Sequence, residues 1–445
     1  MTTLDLYRDH LTTLDRMLAE ALEAAGSRYE AVLFHAGRVD HYHADDREIT
    51  FWSTPHFRRW CPLPGKEHVV LARPGRPPRV IRVRPRDYWY DCSPPPPAYW
   101  QEAVDFDERE SYEAAVEALA LPSRVAYVGN SPEAAEQAGI AAERNEPPEL
   151  MAALDWFRAY KTPWEVALVQ VAVEKAASGH LAGRELFDAG ASEREIYWAF
   201  LEGSDQTDKD LPFDPICAFD DKASVLHYEN RRGLEAAPGK VLLLDAGAGY
   251  QGYASDLTRT WVGEGVEPVF AALVEGVDRL ERDLVAMVTP GRSYPEIHGA
   301  AQRGVADLLV AAGVLHVGSD EALARDLVRP FFPHGVGHHL GIQVHDVGGR
   351  QGDLAGSEVA APDGAPHLRT TRPLEVGHLV TIEPGIYFAP VLLDELAEGP
   401  NREAVDWALV DRLRPCGGIR IEDDVLCTED GAHDLSREHL PGPND

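Results

Sequence analysis

Four acidic residues of this chain stand where an unpaired charge would be costly. Asp245 closes the apolar run Val241-Leu242-Leu243-Leu244, and Asp256 follows eleven residues later in Tyr253-Ala254-Ser255-Asp256-Leu257-Thr258. Glu383 ends Val380-Thr381-Ile382 and precedes Pro384-Gly385, and Glu422 lies within Gly418-Ile419-Arg420-Ile421-Glu422-Asp423-Asp424-Val425-Leu426. A carboxylate buried in such a run needs a compensating partner. Imidazoles are at hand. His334, His338, His339 and His345 crowd into PHGVGHHLGIQVHD, and His316 brings the count within 30 residues to five of the 18 histidines. Four carboxylates with one neutral imidazole make a hard, oxygen-rich donor set suited to Mn²⁺, Co²⁺ or Zn²⁺. Two divalent cations would cancel the charge of -4, which otherwise drives the carboxyl pKa values up. A pair of such ions can hold a bridging hydroxide, a nucleophile at neutral pH. Singly, an aspartate at a strand end is most often a cap, and a histidine pair four apart is more often structural. The ordered set carries the argument.

These residues need elements to position them. Gly247, Gly249 and Gly252 permit a tight reversal, so the strands bearing Asp245 and Asp256 can pair and bring both carboxylates together. Strands are expected at 215–218, 241–244, 252–260, 338–346, 379–386 and 418–426. On a strand His339 points away from His338, which makes it structural. A long helical stretch from Leu150 to about Ala189 breaks or restarts at Lys161-Thr162-Pro163. Ahead of it, Leu4, Tyr7, Leu11, Leu14, Leu18 and Leu22 recur at helical spacing. Strands follow at 29–37, at 69–72 and 80–83 flanking a Pro-Gly turn, and at 124–129, with a helix over 111–121. Pro94–Pro97 form a stiff connector. The domains expected are 1–159, a smaller α/β unit, and 160–445, the unit bearing the chemistry. The fold class is α/β (α+β).

Composition bounds the rest. The 445 residues are 44% hydrophobic and 26% charged, a globular profile long enough for a large core without staples. With 42 Lys+Arg against 74 Asp+Glu, the net charge of -32 argues against nucleic acid and anionic membranes. Five scattered cysteines, Cys61, Cys92, Cys217, Cys416 and Cys427, form no CxxC pair, so neither a thiolate zinc site nor a disulfide framework is expected. No apolar run is long enough to span a membrane, and the amphipathic first helix is no signal peptide, so a cytoplasmic protein is expected.

The ordered set Asp245, Asp256, His338, Glu383 and Glu422 resembles the metallopeptidase family of the pita-bread fold, which includes methionine aminopeptidase, aminopeptidase P and prolidase (Xaa-Pro dipeptidase). The strings LLLDAGAGYQGYASDLTRTW, PHGVGHHLGIQVHDVGG, LVTIEPGIYF and GGIRIEDDVL, with Asp87-Tyr88-Trp89 in the N-terminal part, are similar to bacterial prolidases, including those also called organophosphorus acid anhydrolases. The resemblance covers nearly the whole chain. It implies a C-terminal pita-bread catalytic domain that holds two divalent ions, Mn²⁺ first, through those five residues. It implies hydrolysis of Xaa-Pro dipeptides by a metal-bridging hydroxide, with release of free proline. Glu383 would shuttle the proton. His227 would lie beside the substrate, and His334 and His345 would hold substrate and oxyanion. Arg369, fourteen residues before Glu383, would bind the dipeptide carboxylate. Arg420, grouped with the substrate-binding residues, would stand behind Glu422, and Thr258 near Asp256. The N-terminal domain would form a homodimer and close the partner's pocket, with Trp89 as the candidate; a core aromatic is the alternative for Trp89. One departure is Phe213, where the family usually has a tyrosine near the metals. Alternatives are aminopeptidase P action on longer Xaa-Pro peptides and an incidental organophosphate hydrolase activity.

Overall fold

The computed structural model describes residues 2–89, 98–233 and 237–443. Cys92 and the Pro94–Pro97 connector lie outside the described residues. The chain divides into two compact units, 1–168 with 351–358, and 169–350 with 359–445. The division falls inside the helix Pro163–Asp188, which the preceding helix Pro148–Arg158 approaches through Lys161-Thr162-Pro163. The excursion Gln351–Glu358 has no sequence signature; Gln351 Nε2 donates to the carbonyl of Ala152, 2.9 Å away.

In the first unit, the helix Thr3–Ala24 is capped by Thr2, whose hydroxyl accepts the Asp5 N–H at 3.2 Å. It buries Tyr7, Leu11, Leu14, Leu18 and Leu22, the stripe its spacing predicts. The sheet runs in the order β4-β3-β2-β1-β5. Its strands are β1 (Ala31–His35), β2 (Val69–Ala72), β3 (Arg79–Val83), β4 (Asp105–Arg109) and β5 (Val125–Val128). Pairing is antiparallel for β1–β2 and β2–β3, and parallel for β1–β5 and β3–β4. Strand β4, Asp-Phe-Asp-Glu-Arg, escapes the hydrophobic pattern because it is an edge strand whose charges face cations: Glu108 pairs with Arg82, and Asp107 lies 3.8 Å from Arg79.

His10 is fully buried in this unit, with Nδ1 2.8 Å from the Thr162 hydroxyl and Nε2 2.8 Å from the Arg59 carbonyl. Burial pushes its pKa down to about 4, against the raising effect of Glu165. The unfolded chain therefore takes up this proton first, and stability falls as pH drops from about 6.5 towards 4. Between about pH 7.5 and 4.5 the wild type should lose about 2–3 kcal/mol more unfolding free energy than His10→Gln. Urea titrations at the two pH values check this, and equal losses would refute it.

The second unit is built from antiparallel strands. Sheet β10-β7-β6 joins β6 (Ile216–Phe219), β7 (Val241–Ala246) and β10 (Leu257–Val262), with the small hairpin β8 (Gly249–Tyr250) and β9 (Tyr253–Ala254) at the reversal. The expected strands 379–386 and 418–426 are each interrupted. They become β11 (Leu379–Ile382) and β12 (Gly385–Tyr387), and β13 (Gly418–Arg420) and β14 (Asp423–Thr428), with β15 (Gly431–Asp434) following. β11 pairs with β14 and β12 with β13, and the shared register (Ile382↔Asp423, Gly385↔Arg420) sets Glu383 opposite Glu422 at the break. Pro384, lacking an N–H, cannot continue the ladder there.

The expected strand 338–346 does not form. Val336–Leu340 runs beside β11 with bonds from Glu383 N to Val336 O (2.8 Å), Thr381 N to His338 O (2.9 Å) and Leu340 N to Leu379 O (3.0 Å). Turns then follow through 346. Glycine lets the segment lie close against β11. Gly337 has φ +148°, and a Cβ there would stand 2.0 Å from the Thr381 carbonyl. Behind these strands, the helices Pro268–Val285 and Tyr294–Ala311 place Phe270, Val274, Ile297 and Ala301 in one core with Val380, Ile382, Ile419 and Ile421.

Candidate functional site

Strand register assembles the carboxylates. Thr258 stands opposite Asp245 in the β7–β10 ladder, and Asp256 immediately precedes β10. The bridge between Thr258 and Glu422 then joins this sheet to the interrupted strands. Asp256, His338 and Glu422 each offer one donor atom within 4.8 Å of the others. His338 Nε2 is 3.4 Å from Asp256 Oδ2, while its Nδ1 is 3.0 Å from the His339 carbonyl. An Nδ1–H donated to that carbonyl leaves the Nε2 lone pair aimed at the carboxylates, the tautomer a metal ligand needs. His339 itself is buried, its ring 4.9 Å from that of His378, as a structural residue would be.

Burial and mutual repulsion set the electrostatics of the cluster. Burial pushes the Asp245 carboxyl up to about 6, with Arg420 opposing and Asp256 adding to the rise. Burial, with the charges of Asp256 and Asp245, carries Glu383 to about 7 against His338 and Arg420. Glu422, 2% exposed, is driven well above the carboxylate range by burial and then by Asp256 and Glu383. Asp245 Oδ1 is buried without a hydrogen-bond partner. An orphaned oxygen, crowded carboxylates and an oriented imidazole fit divalent cations.

A layer of donors fixes this set. Arg420 is spent on it: Nη2 on Asp245, Nη1 on the Tyr387 hydroxyl (2.9 Å) and Nε on the Thr258 hydroxyl (3.3 Å). Thr258 donates to Glu422 Oε2 at 2.8 Å, so its partner is Glu422 and not Asp256. The Asp256 N–H instead donates to Asp424 Oδ2 at 3.1 Å. Arg259, fully buried, donates to the carbonyls of Thr258 and Glu422 (both 2.9 Å) and of Pro441 (3.0 Å), and to Asp423 Oδ1 (2.8 Å). Leu440 and Pro441 are thereby tied to the backbone of Thr258 and Glu422.

Tyr387 is the residue that sequence reasoning missed. Its hydroxyl links Arg420 to His334 Nε2, 2.8 Å away. The available signal was a phenol inside the otherwise apolar string Gly385-Ile386-Tyr387-Phe388. His334 Nδ1 lies 2.7 Å from the Gly335 carbonyl and 3.5 Å from Glu383 Oε2. Burial, then Arg420, lowers its pKa to about 3, so it is neutral, and both ring nitrogens are already engaged. His334 also lines the cavity that holds the carboxylates.

His227, His345 and Arg369 are exposed and line the same cavity as the carboxylates, which measures about 480 Å³. The His345 ring meets that of His338 edge to face at 4.4 Å. Phe213 packs at the turn after Asp245, its ring 2.8 Å from where a Cβ on Gly247 would stand, and brings no hydroxyl to that carboxylate. Trp89, in the first unit, is 76% exposed with its ring 5.0 Å from Tyr88, which excludes the core-aromatic alternative.

Comparison with known proteins gives a consistent picture. Residues 167–429 match the profile of metallopeptidase family M24, and residues 5–156 match that of the Xaa-Pro dipeptidase N-terminal domain. The chain is 37% identical over 441 residues to an Xaa-Pro dipeptidase of Stenotrophomonas maltophilia, covering 99% of this chain and 98% of that protein. It is 39% identical over 437 residues to one of Marinobacter nauticus, covering 98% of each. Among solved structures, an Escherichia coli aminopeptidase P variant in complex with substrate superposes with a TM-score of 0.74 at 22% identity, over 100% of this chain and 97% of that one. Pseudomonas aeruginosa aminopeptidase PepP gives 0.68 at 24% identity, over 96% of each. At such identities these two carry the fold alone: an N-terminal domain followed by the pita-bread domain.

Proposed function

Because the chain belongs to metallopeptidase family M24 and is thus a metal-dependent hydrolase, we propose that it cleaves Xaa-Pro dipeptides to free proline. The observation that carries this reading is Arg369, a cation in the same cavity as the carboxylate cluster, placed to take a free C-terminal carboxylate. The near full-length likeness to named Xaa-Pro dipeptidases supports it. Asp245, Asp256, His338, Glu383 and Glu422 would hold two divalent ions, Mn²⁺ first among Mn²⁺, Co²⁺ and Zn²⁺. Bound there, such ions make water nucleophilic at neutral pH and polarise the scissile carbonyl.

The chain's own residues do the rest. A Glu383 carboxylate oxygen takes the proton of the attacking water and delivers it to the prolyl nitrogen as the C–N bond breaks. That nitrogen would otherwise depart as a strongly basic amide anion, so it leaves only once protonated. His227 and His345 donate to the carbonyl oxygen as charge builds on it. His334, held by Tyr387 and Gly335, acts as a wall. Arg420 and Thr258 keep the ligand carboxylates oriented. The first unit would mediate a homodimer and close the partner's site, and the exposure of Trp89 supports that reading. Among the described residues no helix is long and apolar enough to cross a membrane. Cys61, Cys217, Cys416 and Cys427 are free thiols, and we place the protein in the cytoplasm.

Hydrolysis of Ala-Pro and Ala-Pro-Ala, with metal analysis of the same preparation, tests the proposal. Two ions per chain and preferred cleavage of Ala-Pro are expected. Faster cleavage of Ala-Pro-Ala would favour aminopeptidase P action instead.

A further inference from the structure

His227 stands exposed in the catalytic cavity on a stretch, residues 225–233, that forms neither helix nor strand. A side chain on such a stretch samples many positions, and a donor displaced by about 1 Å loses about 10²-fold in rate. Groups outside the stretch must therefore hold it.

The next residue shows which groups those are. Tyr228 is 7% exposed, and its ring packs with Ile216, Ala218, Ala223 and Leu243. Ile216 and Ala218 lie on β6, and Leu243 lies on β7, the strand that carries Asp245. The Tyr228 hydroxyl donates to Glu193 Oε2 at 3.2 Å. Glu193 is the first residue of the helix Glu193–Gly203 and is fully buried. Its Oε1 accepts the Phe219 N–H (2.8 Å) and the Arg232 Nε–H (3.0 Å), and its Oε2 also accepts the Arg232 N–H. Three of these four donors belong to the stretch that carries His227. Arg232 closes the clamp, its Nη2 donating to the Phe219 carbonyl at 3.0 Å. One turn along the same helix, the Arg231 guanidinium lies over the Tyr197 ring, 3.9 Å from its centre.

A carboxylate suits this duty. Buried, it is stable only when donors fill its lone pairs, and bonds to an ionised acceptor are about twice as strong as neutral ones. Its two oxygens offer about four acceptor positions, so one side chain grips β6, Tyr228 and Arg232 at once. The helix N-terminus favours its negative charge as well. Glu193 does not line the catalytic cavity, so it acts through another residue and not on the substrate.

We propose that Glu193 is the positioning residue for His227. It fixes the stretch 225–233 so that the imidazole is in place to donate to the substrate carbonyl oxygen as charge builds there. This rests on the Xaa-Pro dipeptidase reading, which gives His227 its work, and goes beyond it by naming what holds that donor.

Ala-Pro hydrolysis by the wild type, Glu193→Gln, His227→Ala and the double variant forms the test. Glu193→Gln keeps the shape but turns an amide NH2 towards the donors. It should lower kcat at least tenfold with KM moved less than twofold, because a transition-state donor is displaced while the Arg369 anchor is untouched. In the His227→Ala background the same substitution should lower kcat less than twofold. Unchanged kcat in Glu193→Gln would overturn the proposal. An equal loss in both backgrounds would overturn it too, by making Glu193 a general support of the fold. Tyr228→Phe removes one donor and keeps the buried ring, so it carries the same comparison if Glu193→Gln does not fold. It should lower kcat at least threefold in the wild-type background and not in His227→Ala; no loss, or an equal loss in both, would overturn the proposal. A wild type that does not cleave Ala-Pro would overturn the dipeptidase reading and this proposal together. Wild-type kcat in His227→Ala would overturn the role of His227 and this proposal with it. Equal losses in both backgrounds of an active dipeptidase would overturn this proposal alone.

Discussion

Glu383→Gln will lower kcat on Ala-Pro by roughly 10²–10⁴-fold, the usual worth of a positioned general acid–base, with KM little changed. The substitution is isosteric and keeps an oxygen donor for a cation, so it removes the proton carrier more than the ligand. The position explains why no neighbour can substitute. Glu383 sits where β11 ends and Pro384 forbids the next ladder bond, opposite Glu422 and 3.5 Å from His334 Nδ1. His334 is neutral and engaged at both nitrogens, so it cannot take over the shuttle. Asp245 is committed to Arg420, and Glu422 accepts from Thr258. Single-turnover kinetics beside metal analysis make the check. A loss under tenfold with a full metal complement would remove Glu383 from the proton path.

Arg369→Ala will raise KM for Xaa-Pro dipeptides by about 10–100-fold, because a hydrogen bond to a charged group contributes about 1.5–3 kcal/mol. Metal content should not move, since no ligand depends on this side chain. Arg369 is exposed on the cavity wall, so the fold tolerates its loss. Ala-Pro-Ala has no carboxylate at that place and should lose much less, which narrows the preference for dipeptides. Arg369→Lys should recover only part of the affinity, as a point charge cannot match a planar fork on a carboxylate. Unchanged KM for Ala-Pro in Arg369→Ala would remove the residue from substrate recognition, and with it the length argument.

Much of the site was legible because its determinants are local. Asp245 and Asp256 lie eleven residues apart around glycines, and a hairpin is the natural outcome of such a stretch. His338 lies in a string of small residues that lets it lie beside β11. The amphipathic first helix and the β2–β3 hairpin follow from periodicity and turn chemistry. Strand β4 was invisible because an edge strand can face its charges to cations and water instead of alternating with apolar residues.

What the sequence by itself determined was which acidic side chains to expect together in one cavity, because burying a carboxylate in an apolar run is a local cost visible in the residues alone. It also determined the class of metal those donors suit. What only the tertiary structure decided was how each donor is held. The Thr258–Glu422, Arg420–Asp245 and Arg259–Asp423 contacts join residues 164, 175 and 164 positions apart, and no local pattern encodes such pairings. The Tyr387 hydroxyl that occupies His334 is of the same kind, as are the interrupted strands that set Glu383 against Glu422. Local chemistry selects side chains, but their direction is set by whichever distant groups satisfy their remaining hydrogen bonds once water is excluded.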